Sequence, residues 1–269
     1  MEQAVCFATP SLNHSVSMEF MRSSMQTDWL LASKGYRRSY LNHCGDQFIA
    51  KVRNKLMHDF VVNHPYCDNL FFLDDDLGWP PEKVLEFLER DEDILVGAYP
   101  KKSDNPDWPI VLSGDDGKLI EKDGLVRCER GPTGFMRIKR HVIEEMQKHA
   151  PWFKDQDKEG KTVETPAWFA AGVAPDGWFW TEDYIFCQNA VACGFEIWAD
   201  PNIEFEHRGN KVWKGALQSA IPTFRERAVK AKEDREHYER EIESLGEARL
   251  TKVGDDDVIE GQIVRSDAA

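Results

Sequence analysis

Hydrophobic positions follow two rhythms along the first third of the chain. Residues 4–10, Ala4-Val5-Cys6-Phe7-Ala8-Thr9-Pro10, form a short apolar run that predicts a buried strand broken at proline. Over 15–34, Val16, Phe20, Met21, Met25 and Leu30 recur near the 3.6-residue period of a helix with one apolar side. A second strand is predicted at 36–42. A second helix follows at 47–63, with Phe48, Val52, Leu56, Phe60 and Val61 on one side. The wholly apolar run Leu70-Phe71-Phe72-Leu73 then stops abruptly at Asp74-Asp75-Asp76. Strand, helix, strand, helix, strand is how a parallel sheet covered by helices is written. Ligands of such sheets bind beyond the carboxyl ends of the strands. The acidic triplet stands at one of those ends, so its position says more than its charge.

The rhythm continues less regularly. Helices are expected at 80–90, where proline is tolerated in the first turn, at 140–149 and at 182–193, the last ended by Gly194. Strands are expected at 94–98, 125–128, 134–138, 195–198 and 203–207. Residues 99–123 are loop-rich with room for one hairpin. Residues 151–180 show no period and are dense in rings: Trp152, Phe153, Trp168, Phe169, Trp178, Phe179 and Trp180. A connection of that length inside one domain is usually functional or disordered, and flat rings suit a sugar or base face as well as they suit pinning a loop. From 222 to 245 the chain becomes a charged helix with a narrow apolar side of Phe224, Ala228, Ala231, Tyr238, Ile242 and Leu245. The expected organisation is one α/β domain over 1–221, the charged helix over 222–246 and a flexible acidic tail over 247–269. Val258-Ile259 and Ile263-Val264 leave open one late strand there.

Composition narrows the classes. The 269 residues are 41% hydrophobic, enough for a sizeable core. No stretch approaches the roughly 20 apolar residues that cross a bilayer, and the first residues lack a secretory pattern, so the expected compartment is the cytoplasm. Six scattered cysteines without a CxxC pair argue against a zinc ribbon or redox dithiol. A net charge of −14 disfavours non-specific binding to a polyanion, though a local basic groove stays possible.

Three constellations carry chemistry. Asp74-Asp75-Asp76 offers hard oxygen donors of the kind that hold magnesium or manganese against a diphosphate. The plain alternative is a set of solvated acids before the helix at Pro80. Thr181-Glu182-Asp183 opens a helix, where acids gain from the helix dipole and Thr181 is placed to cap. One of these carboxylates would also serve as a general base. His207, after a strand and before Arg208-Gly209, presents an imidazole able to complete a metal shell.

In order along the chain these join Gly131-Pro132-Thr133-Gly134-Phe135-Met136 and Gly194-Phe195-Glu196-Ile197-Trp198-Ala199-Asp200-Pro201. From about Val5 to Gly209 the series resembles the GT-A glycosyltransferase fold, nearest the family 2-like transferases of bacteria and tailed phages. The resemblance implies a Rossmann-like, mixed but mainly parallel sheet flanked by helices. It implies a nucleotide-sugar donor, Mn2+ or Mg2+, and transfer to a hydroxyl acceptor with inversion. Residue by residue, Thr9 and Pro10 would border the nucleotide base with Asp46 and Arg53 nearby. Asp74 and Asp75 would meet ribose and diphosphate, and Asp76, Asp74 and His207 would take the metal. Gly134 would admit the transferred sugar, and Asp183 would be the base with Glu182 competing. Lys101 and Lys102 lie in a loop able to close over phosphates. Gln188-Asn189 stands where processive synthases often carry an arginine motif, which speaks against a membrane-embedded polymerase. The acceptor stays open among glycan, protein, lipid-linked sugar and a modified base in phage DNA. A sugar nucleotidyltransferase and a non-catalytic binding module are the rival readings. An oligomer through the C-terminal helix is a further possibility.

Overall fold

The computed structural model describes residues 3–105, 107–156, 160–173 and 177–250; the side chains of residues 238 and 241–250 lie outside that description. The expected tail beyond residue 250, and Tyr238, Ile242 and Leu245 of the charged helix, therefore fall outside it. The chain opens with β1 (Ala4–Ser11), α1 (Met18–Ser33), β2 (Arg37–Cys44), α2 (Ile49–Asn63) and β3 (Asn69–Leu73). β1 pairs in parallel with both β2 and β3, with Ala8 opposite Leu41 on one side and Phe72 on the other. All of β1 except Thr9 is buried, which is why its sequence does not alternate.

Next come β4 (Leu77–Gly78), α3 (Pro81–Glu89) and β5 (Ile94–Val96). A ribbon of two-residue strands follows: β6 (Val111–Leu112), β7 (Gly114–Asp115), β8 (Lys118–Leu119) and β9 (Glu121–Lys122). The chain then forms β10 (Leu125–Arg130), β11 (Phe135–Lys139) and α4 (Arg140–Gln147). Two hairpins, β12 (Trp152–Gln156) with β13 (Thr162–Pro166) and β14 (Gly172–Val173) with β15 (Phe179–Trp180), lead into α5 (Glu182–Ala192). Last come β16 (Ile197–Ala199), β17 (Phe205–Arg208), β18 (Val212–Gly215) and α6 (Ile221–Leu250).

The central sheet runs β2-β1-β3-β11-β5-β16-β10-β6, with β9 also on β10. β11 and β10 run against their neighbours and the other strands share one direction, so the sheet is mixed and mainly parallel. Alternation along β1 divides the core. Cys6 and Ala8 join Leu56, Phe60 and Phe186 under α2 and α5, while Val5 and Phe7 join Leu31, Val84 and Phe87 under α1 and α3. The α/β architecture matches the expected one. At the far edge, α6 lies on the ribbon through Lys232 to Asp116 and Arg225 to Glu121, both at 2.6 Å.

The periodic reading of α1 holds only in part. Of its expected core side, Phe20 packs edge-on against Trp79 and Leu30 is half-buried, but Val16, Met21 and Met25 are exposed, as are Met18 and Trp29. The buried side is Glu19, Ser23, Thr27 and Leu31. Beside the apolar contacts of Leu31 and Phe20, this helix packs on backbone and indole donors. Ser23 Oγ accepts from the Trp79 amide at 2.9 Å, Thr27 Oγ1 accepts from Trp79 Nε1 at 3.0 Å, and Glu19 pairs with Arg208. Each bond is worth about 1 kcal/mol net, whereas an orphaned buried partner costs about 1–3 kcal/mol, so polarity wins these positions. Phe48, expected on the buried side of α2, precedes the helix and is exposed. The region 151–180, expected to be irregular, folds into the two hairpins. Its rings divide: Trp168 and Phe169 are core, while Trp152, Trp178 and Phe179 are exposed.

Candidate functional site

The acidic triplet turns away from β3 and is held by three backbone bonds. The Asp74 amide donates to Gly134 O at 2.9 Å, Ser17 N donates to Asp75 O at 2.8 Å, and Arg208 N donates to Asp76 O at 2.8 Å. Just beyond, β4 pairs with β17, His207 opposite Leu77, and β17 pairs with β18. That small sheet closes 131 residues of chain and sets His207 beside Asp76, Nε2 at 3.6 Å from Oδ1. The other ring nitrogen, Nδ1, lies 2.7 Å from Pro100 O. A carbonyl can only accept, so Nδ1 carries a proton there and Nε2 is the ring atom turned toward Asp76. The ring also stands edge-on to Tyr99, centroids 4.9 Å apart.

Behind the triplet, α2 sends Arg53 into the site, only 4% exposed. Its Nη2 lies 3.1 Å from Asp74 Oδ1 and 3.3 Å from Oδ2, and its Nε lies 3.4 Å from Glu182 Oε1. One guanidinium thus braces the acid at the end of β3 against the acid opening α5. The brace is incomplete. Among the described residues, Arg53 Nη1, Asp74 Oδ1 and Thr133 Oγ1 are buried without a hydrogen-bond partner. The 3.1 Å approach to Oδ1 is a charge contact too oblique to be a hydrogen bond.

These side chains line a cleft of about 360 Å³ with Pro10, Ser11, Asp46, Asp75, Tyr99 and Asp183. Burial raises the carboxyls of Asp74, Asp75 and Glu182, with Arg53 pulling back the first and last. At Asp76 burial also acts upward, but the His207 ring beside it and the Lys102 ammonium bring the carboxyl below its ordinary value. Lys102 rests its ammonium on Asp76 Oδ2. Burial pushes the Tyr99 phenol well above its usual range.

Of the residues expected at the site, the cleft gathers Pro10, Asp46, Arg53, Asp74, Asp75, Asp76, Glu182 and Asp183. Thr9 is not among them. Strand alternation turns it to the other face of the sheet, into a separate hollow with Phe7, Tyr40 and Asn42. Asp46 accepts from the Phe48 amide at 3.0 Å and pairs with Lys51 at 3.2 Å, so it fastens the start of α2 as well as edging the cleft. Gly134 is fixed by its neighbours. A Cβ there would stand 2.5 Å from both Asp74 Oδ2 and Tyr99 Oη. Thr181 stands at the N-cap of α5 without making the capping bond, its hydroxyl pairing instead with Asp183 Oδ1, which also accepts from Tyr184 N at 2.9 Å. Tyr99, Ser11 and the braced role of Arg53 escape sequence reasoning. The available signals are that Tyr99 lies three residues past β5 and that Arg53 is charged on the buried side of a helix.

Asp74, Asp76 and His207 supply oxygen and imidazole donors suited to a divalent cation, and the unpartnered Asp74 Oδ1 fits that use. Among the described residues, however, no three His, Cys, Asp or Glu side chains converge as a ready metal cluster. Likewise among those residues, no helix is long and apolar enough to cross a membrane.

No family model matches this chain, and no curated protein does. Among solved structures, the chain is similar to the crystal structure of a glycosyltransferase involved in glycosylation of the major capsid of PBCV-1, at 10% identity and a TM-score of 0.30. The match covers 52% of this chain and 62% of that one, less than two thirds of its length.

Proposed function

We propose that this chain is a metal-dependent glycosyltransferase of the GT-A type, moving a sugar from a nucleotide-sugar donor to a hydroxyl acceptor. One observation carries the reading. Residues from β1, α2, the acidic turn after β3 and α5 converge on a single cleft at the carboxyl end of the parallel strands, with His207 beside its Asp76. A cleft this rich in carboxylates repels a bare diphosphate, so the donor would enter with Mn2+ or Mg2+. Asp76, Asp74 and His207 would hold that ion, with remaining positions left to water and phosphate. When bound, the ion supplies charge neutralisation for the leaving diphosphate.

Arg53 keeps Asp74 and Glu182 in place, and Gly134 leaves room for Asp74 to turn into the cleft. Asp183 takes the proton from the acceptor hydroxyl. The acceptor oxygen bonds to the anomeric carbon as the bond from that carbon to the phosphate oxygen breaks, and the nucleoside diphosphate departs with the electron pair. Attack from the face opposite the leaving group inverts the centre. Glu182 is the poorer base because it is occupied by Arg53, whereas Asp183 is held through Oδ1 alone by its own helix turn.

A screen of nucleotide sugars for nucleoside diphosphate release, with and without manganese, tests the reading. The wild type should release product only with the cation. Asp76→Ala and Asp183→Ala should each lose at least about a hundredfold in transfer, the scale of removing a general base. No metal-assisted release from any uridine, guanosine, cytidine or thymidine donor ends the proposal. Near-normal turnover of Asp183→Ala moves the base to Glu182.

A further inference from the structure

Arg130, at the end of β10, differs from Arg53, Arg208 and Arg22. Arg53 faces Asp74 and Glu182, Arg208 faces Glu19, and Arg22 faces Glu206. Arg130 has no ion pair among the described residues, in a chain with 48 acidic against 34 basic residues. It is held by rings instead. Its guanidinium lies over Trp180 at 4.7 Å and over Tyr184 at 5.2 Å from the ring centroids. Contact with ring faces holds the cation without using its N–H donors. One of those donors, Nε, is buried with no hydrogen-bond partner among the described residues. A planar cation held on rings, with a donor left unpaired, suits a carboxylate or a phosphate.

Its place decides which reactant brings that anion. Trp180 precedes and Tyr184 follows the Glu182–Asp183 pair, so Arg130 flanks the first turn of α5. β10, which carries it, lies on the far side of the sheet from β1 and β3, whose ends carry Pro10 and the acidic triplet. Trp178 and Phe179, which precede Trp180 in the chain, are exposed. We infer that Arg130, held against Trp180 and Tyr184, is an anion-recognition point for the acceptor, so that the accepted molecule carries a phosphate or carboxylate near its reacting hydroxyl. The inference rests on the transferase reading for the word acceptor. The anion site itself does not.

Two measurements on the full chain test it. In the wild type, the Arg130 Nε–H resonance is followed while glucose 6-phosphate, glucuronate or glucose is added, with and without saturating uridine or guanosine diphosphate and manganese. The two anionic sugars should move that resonance and glucose should not, and the nucleotide should leave the response in place. No response to either anion overturns the site. A response to the nucleotide alone, abolishing that to the sugars, assigns Arg130 to the donor's phosphates and overturns the acceptor role. Whichever of the two sugars moves the resonance at lower concentration separates phosphate from carboxylate. The second measurement compares kcat/KM for transfer to each anionic sugar and to glucose in wild type, Arg130→Lys and Arg130→Gln. The preference for the anion should fall about tenfold to a hundredfold in Arg130→Gln through KM, and less in Arg130→Lys. A preference kept by Arg130→Gln overturns the proposal. Wild-type release of nucleoside diphosphate into water reports the transferase reading separately, so the two can fail independently.

Discussion

Helices α1 and α2 cover opposite faces of the same edge of the sheet, and both bury polar side chains, yet they do so for different ends. α2 keeps an apolar side of Val52, Leu56, Met57 and Phe60, and inserts Arg53 and Asn54 into it. Arg53 reaches the cleft. Asn54 pairs with both backbone groups of Phe169, donating to its carbonyl and accepting from its amide, each at 2.8 Å. α1 buries little but polarity and leaves Met18, Met21, Met25 and Trp29 to solvent. Its inward groups never enter the cleft. They hold the stretch from Asp75 to Trp79 and the strand bearing His207. One helix thus supplies the cleft with a side chain and the other fixes the backbone that the cleft is built on. A buried polar residue marks something worth its desolvation, but only the partner says whether that is a site or a scaffold.

The comparison breaks first at Arg53. Arg53→Met strands Asp74 and Glu182 as unpaired, largely buried carboxylates, and should cost about 3 kcal/mol in denaturant unfolding together with activity. A variant of wild-type stability would mean that the brace holds nothing. Next is Asn54→Leu, which orphans two backbone groups and should cost about 2 kcal/mol, with faster amide exchange at Phe169 than elsewhere in the core. Protection at Phe169 equal to wild type would detach α2 from the segment between the hairpins.

On the α1 side the expected signature is acid sensitivity. Hydrogen bonds from Arg208 hold the Glu19 carboxyl below its ordinary value. A carboxyl lowered on folding adds stability that is present above its unfolded pKa of about 4.3 and is lost as pH falls through the folded value. Glu19→Gln should therefore be less stable than wild type at neutral pH, with the difference shrinking on acidification below about pH 4. A pH-independent difference would show that Glu19 acts by packing rather than charge. The smallest effect belongs to the outer face. Trp29 is 75% exposed, and Trp29→Gln should change stability by no more than about 0.5 kcal/mol. A larger loss would place that face against something in solution.

Much of this was legible beforehand, for reasons that differ by element. β1 and β3 are largely buried on both sides, so their sequences are mostly apolar; β3 ends at the acids after Leu73, whereas β1 runs past the expected break at Pro10 to Ser11. Gly194 adopts φ of 90°, the left-handed cap that its position after a helix predicts. α1 was misread because a period of 3.6 reports that a helix has two sides, not which one faces inward. The aromatic segment was misread because short hairpins of exposed and buried rings leave neither period intact. Thr9 was misplaced because neighbours on a strand point to opposite faces, and only the pairing of β1 with β2 tells which face is the cleft.

The sequence by itself determined the order of strands and helices through β3, the mainly parallel class of the sheet and the strand end at which the acids gather. Those follow from local period, chain breakers and burial, which neighbouring residues encode together. Only the tertiary structure decided that Asp76 meets His207, that Arg53 spans Asp74 and Glu182, that Gly134 yields its space to Asp74, and that Arg130 lies against Trp180 and Tyr184. Each joins residues from separate elements, and such a contact is set by how those elements pack, which no single stretch of chain records.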